Sequence, residues 1–165
     1  MKIAVITGAS SGMGKAFTKQ IAKKYIELDE IWVIARKKET LEELKKDISK
    51  LRILPMDLTD RQAFNEFHEL LKRENPSIQI LVESAGTGIQ KKVEDTAVDK
   101  LCQMTELNCT ALTAFIGLCL PYCKKGSRIL CLASGAAFVP QPGFAVYAAS
   151  KAYVLSFARA LGVEQ

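Results

Sequence analysis

The sequence is poor in the residues that usually bind metals. His68 is its only histidine, and its five cysteines form no Cys-x-x-C pair; they are Cys102, Cys109, Cys119, Cys123 and Cys131. Zinc sites usually combine cysteines and histidines at short, regular spacings. The composition therefore argues against a zinc site. An odd number of cysteines without a signal peptide instead indicates buried thiols in a reducing cytoplasm.

Long apolar runs and a strong charge excess are also missing. The N-terminal run from Met1 to Ile6 is too short for a signal peptide, and the most apolar stretch, Ala111 to Leu120, is typical of a core helix rather than a membrane span. The 23 basic and 18 acidic residues give a net charge of +5, spread along the chain. With no basic stripe and no recognition motif, the sequence predicts neither nucleic-acid nor membrane binding.

What remains is a chain of 165 residues, enough for a single domain over residues 1–165 with a buried core. Apolar strand patterns at 2–6, 31–35, 52–56, 78–82 and 128–132 alternate with helical patterns. This alternation predicts an α/β fold, a three-layer, doubly wound parallel sheet of Rossmann-like type. Pro55 cannot donate a hydrogen bond in the sheet, so we expect the third strand at an edge. A helix is predicted from Asn108 to Cys123, ended by Lys124-Lys125-Gly126.

A glycine-rich turn follows the first strand. It reads Thr7-Gly8-Ala9-Ser10-Ser11-Gly12-Met13-Gly14 and continues into a helical pattern that extends to about Tyr25. Glycines let the backbone approach a diphosphate, and the helix N-terminus offers free N–H groups to it. The alternative is a Gly-Ser loop that only joins two elements. The flanking strand and helix favour phosphate binding.

The second strand ends at Ala35 and is followed by Arg36-Lys37-Lys38. In dinucleotide-binding folds an acidic residue near this point holds the ribose 2′-hydroxyl, whereas a guanidinium can bind a 2′-phosphate. The sequence therefore favours NADP(H) over NAD(H), with Arg36 as the discriminating residue. The alternative is a basic helix start, because the two lysines precede three glutamates at helix-surface spacing.

Small or polar residues also follow the later strands: Asp57-Leu58 after the third, Ser84-Ala85-Gly86 after the fourth and Ser134 after the fifth. Ligands of open parallel sheets bind at the carboxyl ends of the strands. We therefore expect these residues to lie along one rim with the glycine turn. Asp57 has two alternatives: it caps the next helix, in competition with Thr59 or Asp60, or it binds an adenine amino group.

The last helical pattern begins near Tyr147-Ala148-Ala149-Ser150-Lys151. If this segment is helical, Tyr147 and Lys151 lie on one face and an ammonium sits beside a phenol. A free tyrosine titrates near pH 10 (about three units above neutrality), and an adjacent cation favours the phenolate. On its own, such a pair is often an exposed tyrosine and lysine. Asn108 enters an apolar helix, so its amide is expected to bind main chain or water.

Together these motifs resemble the classical short-chain dehydrogenase/reductase family. The resemblance implies hydride transfer between a nicotinamide cofactor and a small carbonyl compound or alcohol. The matching pieces stand in the family's order and spacing: the turn with Gly8, Ser10, Ser11, Gly12, Met13 and Gly14, then Asp57-Leu58, Ser84-Ala85-Gly86, Asn108, Ser134 and Tyr147 to Lys151.

The resemblance also implies roles for four side chains. Tyr147 would exchange a proton with the substrate oxygen, and Ser134 would hydrogen-bond that oxygen. Lys151 would favour the tyrosine phenolate and hold the nicotinamide ribose, while Asn108 would hold a water that links Lys151 to solvent. An apolar substrate is suggested by residues that are equally suited to packing, namely Phe138, Val139, Pro140, Pro142 and Phe144.

The sequence departs from the family pattern in two respects. The family usually has two asparagines before Ala-Gly, where this chain has Glu83 and Ser84; a buried Glu83 would need a partner. Family members also continue past the tyrosine helix with further strands and a substrate lid. The expectation is therefore a Rossmann-like domain without the last strands and lid, a fragment of a longer enzyme.

The alternative to an enzyme is a non-catalytic module that binds a nucleotide or dimerises. The apolar helices at 109–123 and 147–161 resemble the subunit-packing helices of the family. For either function, they predict a homodimer or homotetramer.

Overall fold

The computed structural model describes residues 1–165 and contains one five-stranded parallel sheet. The strand order is β3-β2-β1-β4-β5, so the chain winds outward from β1 and then returns to the other side of it. The reversal lies between β1 and β4, where ligands of such sheets usually bind. The strands are β1 (Lys2–Thr7), β2 (Glu30–Ala35), β3 (Leu51–Pro55), β4 (Ser77–Glu83) and β5 (Cys123–Cys131).

Six α-helices cover the two faces of the sheet. A π-helical turn, Glu106–Ala111, joins the fourth helix to the fifth, and short 3-10 turns lie at Leu120–Tyr122 and Gly135–Ala137. The α-helices are α1 (Gly12–Lys24), α2 (Lys38–Asp47), α3 (Arg61–Glu74), α4 (Val98–Thr105), α5 (Leu112–Cys119) and α6 (Ala145–Glu164).

Each face of the sheet has its own apolar core, because successive side chains of a strand point to opposite faces. On β1, Val5 packs with α3, α5 and α6, whereas Ile6 packs with α1 and α2. Phe115 of α5 stacks on Phe67 of α3 with ring centroids 4.6 Å apart, which closes the first core. The predicted three-layer α/β fold with a doubly wound parallel sheet is confirmed. β3 lies at one edge, as Pro55 indicates.

The prediction of a separate helix from Asn108 to Cys123 is wrong at both ends. The helical segment is continuous from Val98 to Tyr122, and Asn108 lies inside its π-helical turn. The segment stops before Cys123 because Pro121, in the final 3-10 turn, cannot continue an α-helix. By length and composition alone this segment could cross a membrane, a criterion that a core helix also meets. Its residues Phe115 and Ile116 are fully buried, which fits a core helix.

Lys124-Lys125-Gly126 does not end a helix, contrary to the prediction. These residues form a bulge inside β5, between the pairs Ile78–Cys123 and Ile80–Arg128. Ser127 holds the bulge, since its hydroxyl donates to the Ile78 carbonyl at 2.6 Å and accepts from the Lys124 N–H at 2.8 Å. Gly126 has φ +93°, a conformation that glycine adopts without strain. Tertiary pairing with β4 therefore overrides the local helix-ending pattern.

Candidate active site

A cavity of about 630 Å³ opens at the carboxyl ends of β1 to β4. Most predicted cofactor-binding residues line it, while Gly14, Tyr147 and Lys151 lie outside its lining. The expected rim of strand ends is therefore present. The predicted residues along the cavity are Gly8, Ser10, Ser11, Gly12, Met13, Arg36, Asp57, Leu58, Ser84, Ala85 and Gly86.

The glycine turn between β1 and α1 is held in a shape that only glycine accommodates. Gly8 has φ +65°, and a Cβ there would lie 2.8 Å from the Ala85 nitrogen. A Cβ on Gly14 would overlap the Gly8 carbonyl, so the first turn of α1 packs directly on the loop. No side chain caps α1, which leaves the N–H groups of its first turn free for an anion. The turn thus fits the diphosphate of a dinucleotide.

Arg36 and Asp57 lie on the cavity wall after β2 and β3. The Asp57 carboxylate accepts hydrogen bonds from the Thr59 N–H at 2.9 Å and the Thr59 hydroxyl at 2.8 Å. Burial opposes ionisation of Asp57, but these hydrogen bonds and the nearby Arg36 guanidinium outweigh it, so its pKa is lowered. Asp57 does not cap α3; Asp60 does, accepting from the Gln62 N–H at 2.9 Å.

The turn after β4 is tied to β1 through Thr7. The Thr7 hydroxyl accepts hydrogen bonds from the N–H groups of Ser84 and Ala85, both at 3.1 Å, and donates to a Glu83 carboxyl oxygen at 3.1 Å. Glu83 is 3% exposed, and burial raises the pKa of its carboxyl to about 8. The sequence predicts that a buried Glu83 needs a partner. The structure provides the Thr7 hydroxyl, which is uncharged.

Asn108 lies in the π-helical turn and is 1% exposed. Its oxygen accepts from the Thr87 N–H at 2.9 Å, and its amide nitrogen donates to the Thr87 carbonyl at 2.8 Å and to the Ser150 hydroxyl at 2.9 Å. Main-chain partners for this amide are confirmed. Both amide protons are used, so a water could contact the side chain only at the oxygen. The water-binding role stays a prediction.

Tyr147 and Lys151 lie one helical turn apart on α6, with the Lys151 ammonium 5.8 Å from the centroid of the tyrosine ring. Lys151 is 7% exposed and donates to the Leu132 carbonyl at 2.8 Å; burial lowers its pKa because a buried ammonium loses hydration. The Tyr147 ring stacks on Phe144 at 4.3 Å. A Cβ on Gly88 would lie 2.8 Å from Cδ2 of that ring, so the Tyr147 ring packs directly against the Gly88 backbone.

Ser134 lies just beyond the carboxyl end of β5, and its oxygen accepts a hydrogen bond from the Ala136 N–H at 3.2 Å. Its hydroxyl proton has no partner within the chain and is available to a substrate oxygen.

Gly86 joins the two groups of predicted residues. A Cβ on this cavity residue would lie 3.2 Å from the Asn108 amide oxygen and 3.4 Å from the Lys151 ammonium. Two of the residues predicted for catalysis, Asn108 and Lys151, therefore meet a predicted cofactor-binding residue at the end of β4, although the three come from positions far apart in the chain.

Sequence reasoning missed several residues of the site. Ser150 connects Asn108 to the Tyr147 carbonyl, to which its hydroxyl donates at 2.7 Å. Gly88 could have been found, because it is a second glycine after a buried strand. The residues of α4 that line the cavity could not have been found from the sequence, because only the tertiary structure determines which face of α4 is turned to the strand ends. These residues are Lys100, Gln103 and Met104.

Comparison with known proteins agrees with this arrangement. A family profile described as short chain dehydrogenase matches residues 2–165. The chain belongs to the short-chain dehydrogenase/reductase family. Its relatives include a fatty acyl-CoA reductase of Acinetobacter baylyi, 30% identical over 171 residues that cover 99% of this chain and 57% of the relative. Another is an NAD-dependent glycerol dehydrogenase of Listeria innocua, 30% identical over 170 residues that cover 99% of this chain and 64% of the relative.

Among solved structures, this short-chain dehydrogenase/reductase is similar to the KRED1-Pglu enzyme, with 26% identity and a TM-score of 0.88 over 99% of this chain and 69% of that one. The chain thus spans about two thirds or less of the length of these relatives. The fold binds a nicotinamide cofactor. The residues of the cavity fit one, because glycines at Gly8 and Gly14 and the uncapped start of α1 leave room and N–H groups for a diphosphate.

Proposed function

We propose that this protein is an oxidoreductase that uses NADP(H) to interconvert a small, apolar ketone or aldehyde and the corresponding alcohol. The observation that carries the proposal is the position of Gly86. This residue lines the dinucleotide cavity, and a Cβ on it would be in contact distance of both Asn108 and Lys151. The glycine turn, Arg36 and Asp57 would hold the cofactor in the cavity, and Lys151 would hold its nicotinamide ribose. NADP(H), when bound, supplies or accepts the hydride.

The side chains of the chain would handle the proton and the substrate oxygen. In reduction, the carbonyl carbon gains the hydride and the Tyr147 hydroxyl gives its proton to the oxygen; in oxidation the phenolate takes that proton back. The Ser134 hydroxyl donates a hydrogen bond to the same oxygen, where negative charge develops. The Lys151 ammonium lies 5.8 Å from the ring centroid of Tyr147 and would hold the nicotinamide ribose next to that ring.

Replacement of Tyr147 by phenylalanine tests this role. We expect turnover of hydrophobic ketones and aldehydes to fall at least about 100-fold, with NADPH affinity little changed, because only the proton donor is lost. Tyr153→Phe on the same helix is the matched control and should keep turnover. Unchanged turnover in Tyr147→Phe would contradict the mechanism. Tight NADPH binding without turnover of any carbonyl compound in the wild type would favour the non-catalytic nucleotide-binding module instead.

The preference for NADP(H) rests on Arg36. Its guanidinium lies on the cavity wall after β2, and it forms no ion pair within the chain, so it is available to a 2′-phosphate. The family itself includes an NAD-dependent member. We expect Arg36→Ala to weaken NADPH roughly 10- to 100-fold and NADH hardly at all. Arg73→Ala, at the far end of α3, is the control; equal losses for both cofactors would contradict the assignment.

An apolar substrate is supported by the loop after Ser134. Phe138 is 67% and Val139 55% exposed, beside the predicted catalytic serine, and Phe144 stacks on Tyr147. Exposed apolar side chains next to a reaction centre suit an apolar substrate. Turnover should therefore rise with the apolar size of the ketone, and a strict preference for charged substrates would contradict this proposal.

We further infer a homodimer or homotetramer through the helices at 109–123 and 147–161, and a cytoplasmic location. Tyr153 of α6 is 42% exposed and stacks on Phe157, which leaves an aromatic surface for a second copy. All five cysteines are free, which suits a reducing compartment. Light scattering tests the first inference, because a single species of 18.2 kDa would refute it. Fractionation of the source cells tests the second.

A further inference from the structure

The buried carboxyl of Glu83 has no part in the proposed reaction. It lies at the end of β4, where the family usually has asparagine, and is 3% exposed. One oxygen, Oε2, accepts a hydrogen bond from the Thr7 hydroxyl at 3.1 Å. The other, Oε1, is buried without any hydrogen-bond partner. An unpartnered polar atom at this depth calls for a physical explanation.

The hydrogen bonds of Thr7 show what the carboxyl holds. A hydroxyl has one proton to donate and two lone pairs to accept with. Thr7 accepts from the N–H groups of Ser84 and Ala85, both at 3.1 Å. Its proton is left for Glu83 at 3.1 Å or the Val82 carbonyl at 3.5 Å, and the shorter contact is the stronger one. By accepting the Thr7 proton, Glu83 orients the Thr7 hydroxyl so that its lone pairs point at the Ser84 and Ala85 N–H groups.

The surroundings of Glu83 favour its neutral form. Burial favours the neutral acid and outweighs the Thr7 hydrogen bond, which by itself favours the carboxylate. In the neutral acid Oε2 accepts from Thr7, and Oε1 is left to carry the proton. No cation contacts the carboxyl, and Lys151 of α6 is directed at the Leu132 carbonyl. The titratable groups facing it are the thiols of Cys119 on α5 and Cys131 on β5, both uncharged at neutral pH since burial raises their pKa values, that of Cys131 to about 11. An unpaired carboxylate here would be costly.

The same turn forms the wall between the cavity and the predicted catalytic residues. The Ala85 nitrogen lies 2.8 Å from where a Gly8 Cβ would stand, and the Gly86 Cβ position lies 3.4 Å from the Lys151 ammonium. A change in the Ser84–Ala85 backbone would therefore reach the glycine turn on one side and Lys151 on the other.

We propose that Glu83 is a positioning residue which, as a neutral acid, holds Thr7 against the Ser84–Ala85 backbone. Loss of its proton would leave an unpaired charge in this buried place, and the opening that lets water reach that charge would loosen this wall of the cofactor cavity. The expected effect on the cofactor rests on the proposed function. Burial raises the pKa of Glu83 to about 8, so the loosening would begin in mildly alkaline solution.

Carbon-13 and nitrogen-15 NMR of the protein without cofactor tests the positioning role directly. Between pH 6 and 9.5 we expect the Glu83 carboxyl to titrate near pH 8, and the Ser84 and Ala85 amide signals to follow with the same midpoint. In Glu83→Gln, which keeps the chain length and the acceptor oxygen, these amides should not titrate. Glu69→Gln, at an exposed position, should behave as the wild type. A Glu83 midpoint below about pH 6, or amides that do not follow it, would overturn the proposal.

Binding of NADPH then tests the consequence. If only the neutral form of Glu83 permits tight binding, the dissociation constant should rise about tenfold between pH 7 and pH 9 in the wild type and stay level in Glu83→Gln. Equal slopes in the two proteins would refute the link to the cofactor. Failure to bind NADPH at any pH would refute the proposed function, while the NMR titration would still decide the role of Glu83.

Discussion

Replacement of Glu83 by glutamine also makes a quantitative prediction for the free energy of unfolding. The pKa of this carboxyl is about 8 in the folded protein and near 4.5 in an unfolded chain. Between these values the folded state keeps a proton that the unfolded state has lost. The contribution of Glu83 to stability is therefore fully present below about pH 4.5 and is lost as the pH rises through 8. The difference of about 3.5 units corresponds to about 5 kcal/mol.

The size of this effect makes it measurable against the total stability of a domain, which is typically about 5–15 kcal/mol. Urea unfolding can be followed by the fluorescence of Trp32, the only tryptophan and fully buried. From pH 5 to pH 8 we expect the stability of the wild type to fall relative to Glu83→Gln by roughly 3–4 kcal/mol. Comparison with the variant cancels the groups that titrate in both proteins.

A second comparison guards against a general effect of removing an acid. Glu69 is exposed and has its pKa lowered by a hydrogen bond from Lys72 and by the charge of that lysine, so its contribution to stability has the opposite dependence on pH. Glu69→Gln should therefore keep the wild-type loss of stability at alkaline pH. Parallel stability curves for the wild type and Glu83→Gln would show that Glu83 ionises freely in the folded protein, and the reasoning would be refuted.

Two further substitutions probe the neighbouring site. Gly88→Ala would place a Cβ 2.8 Å from the Tyr147 ring, so we expect turnover to fall about tenfold or more with NADPH affinity retained. Gly162→Ala is the control, because nothing lies within 4 Å of the new Cβ. Equal turnover in the two variants would contradict the contact between Gly88 and the Tyr147 ring. Asn108→Leu removes three hydrogen bonds, one of them to the buried Ser150 hydroxyl, which should cost about 3 kcal/mol and lower the melting temperature by about 5–10 °C. The exposed Asn65→Leu should change it little, and a similar small change in Asn108→Leu would argue against the bonds.

The parts of the fold and site that depend on neighbours in sequence could be predicted. The four-residue spacing of Tyr147 and Lys151 fixes their shared helix face, and the glycines between β1 and α1 fix a tight turn. Pro55 excludes a central strand. Each of these follows from local geometry or from a missing N–H group, so the sequence alone is sufficient.

The parts of the fold and site that depend on residues far apart in the sequence could not be predicted. The Asn108 amide forms hydrogen bonds with Thr87 and Ser150, which are 21 and 42 residues away in the sequence. The π-helical turn that orients this amide cannot be predicted from the hydrophobic pattern. In the sequence, Glu83 is only a departure from the family pattern. Its hydrogen-bond partner Thr7 lies 76 residues earlier and can be identified only in the folded structure. The bulge at Lys124-Lys125-Gly126 has the composition of a helix end, and only its pairing with β4 makes it part of a strand.

That bulge has a consequence for which part of β5 can accept a further strand. β5 is an edge strand, and an edge with a straight row of unpaired N–H and C=O groups is a template on which other chains can aggregate. The bulge interrupts the row after Cys123 and leaves Lys124 and Lys125 exposed, two cations that oppose the addition of a foreign strand. The irregularity therefore leaves Arg128–Cys131 as the regular part of this edge, on which a further strand could pair.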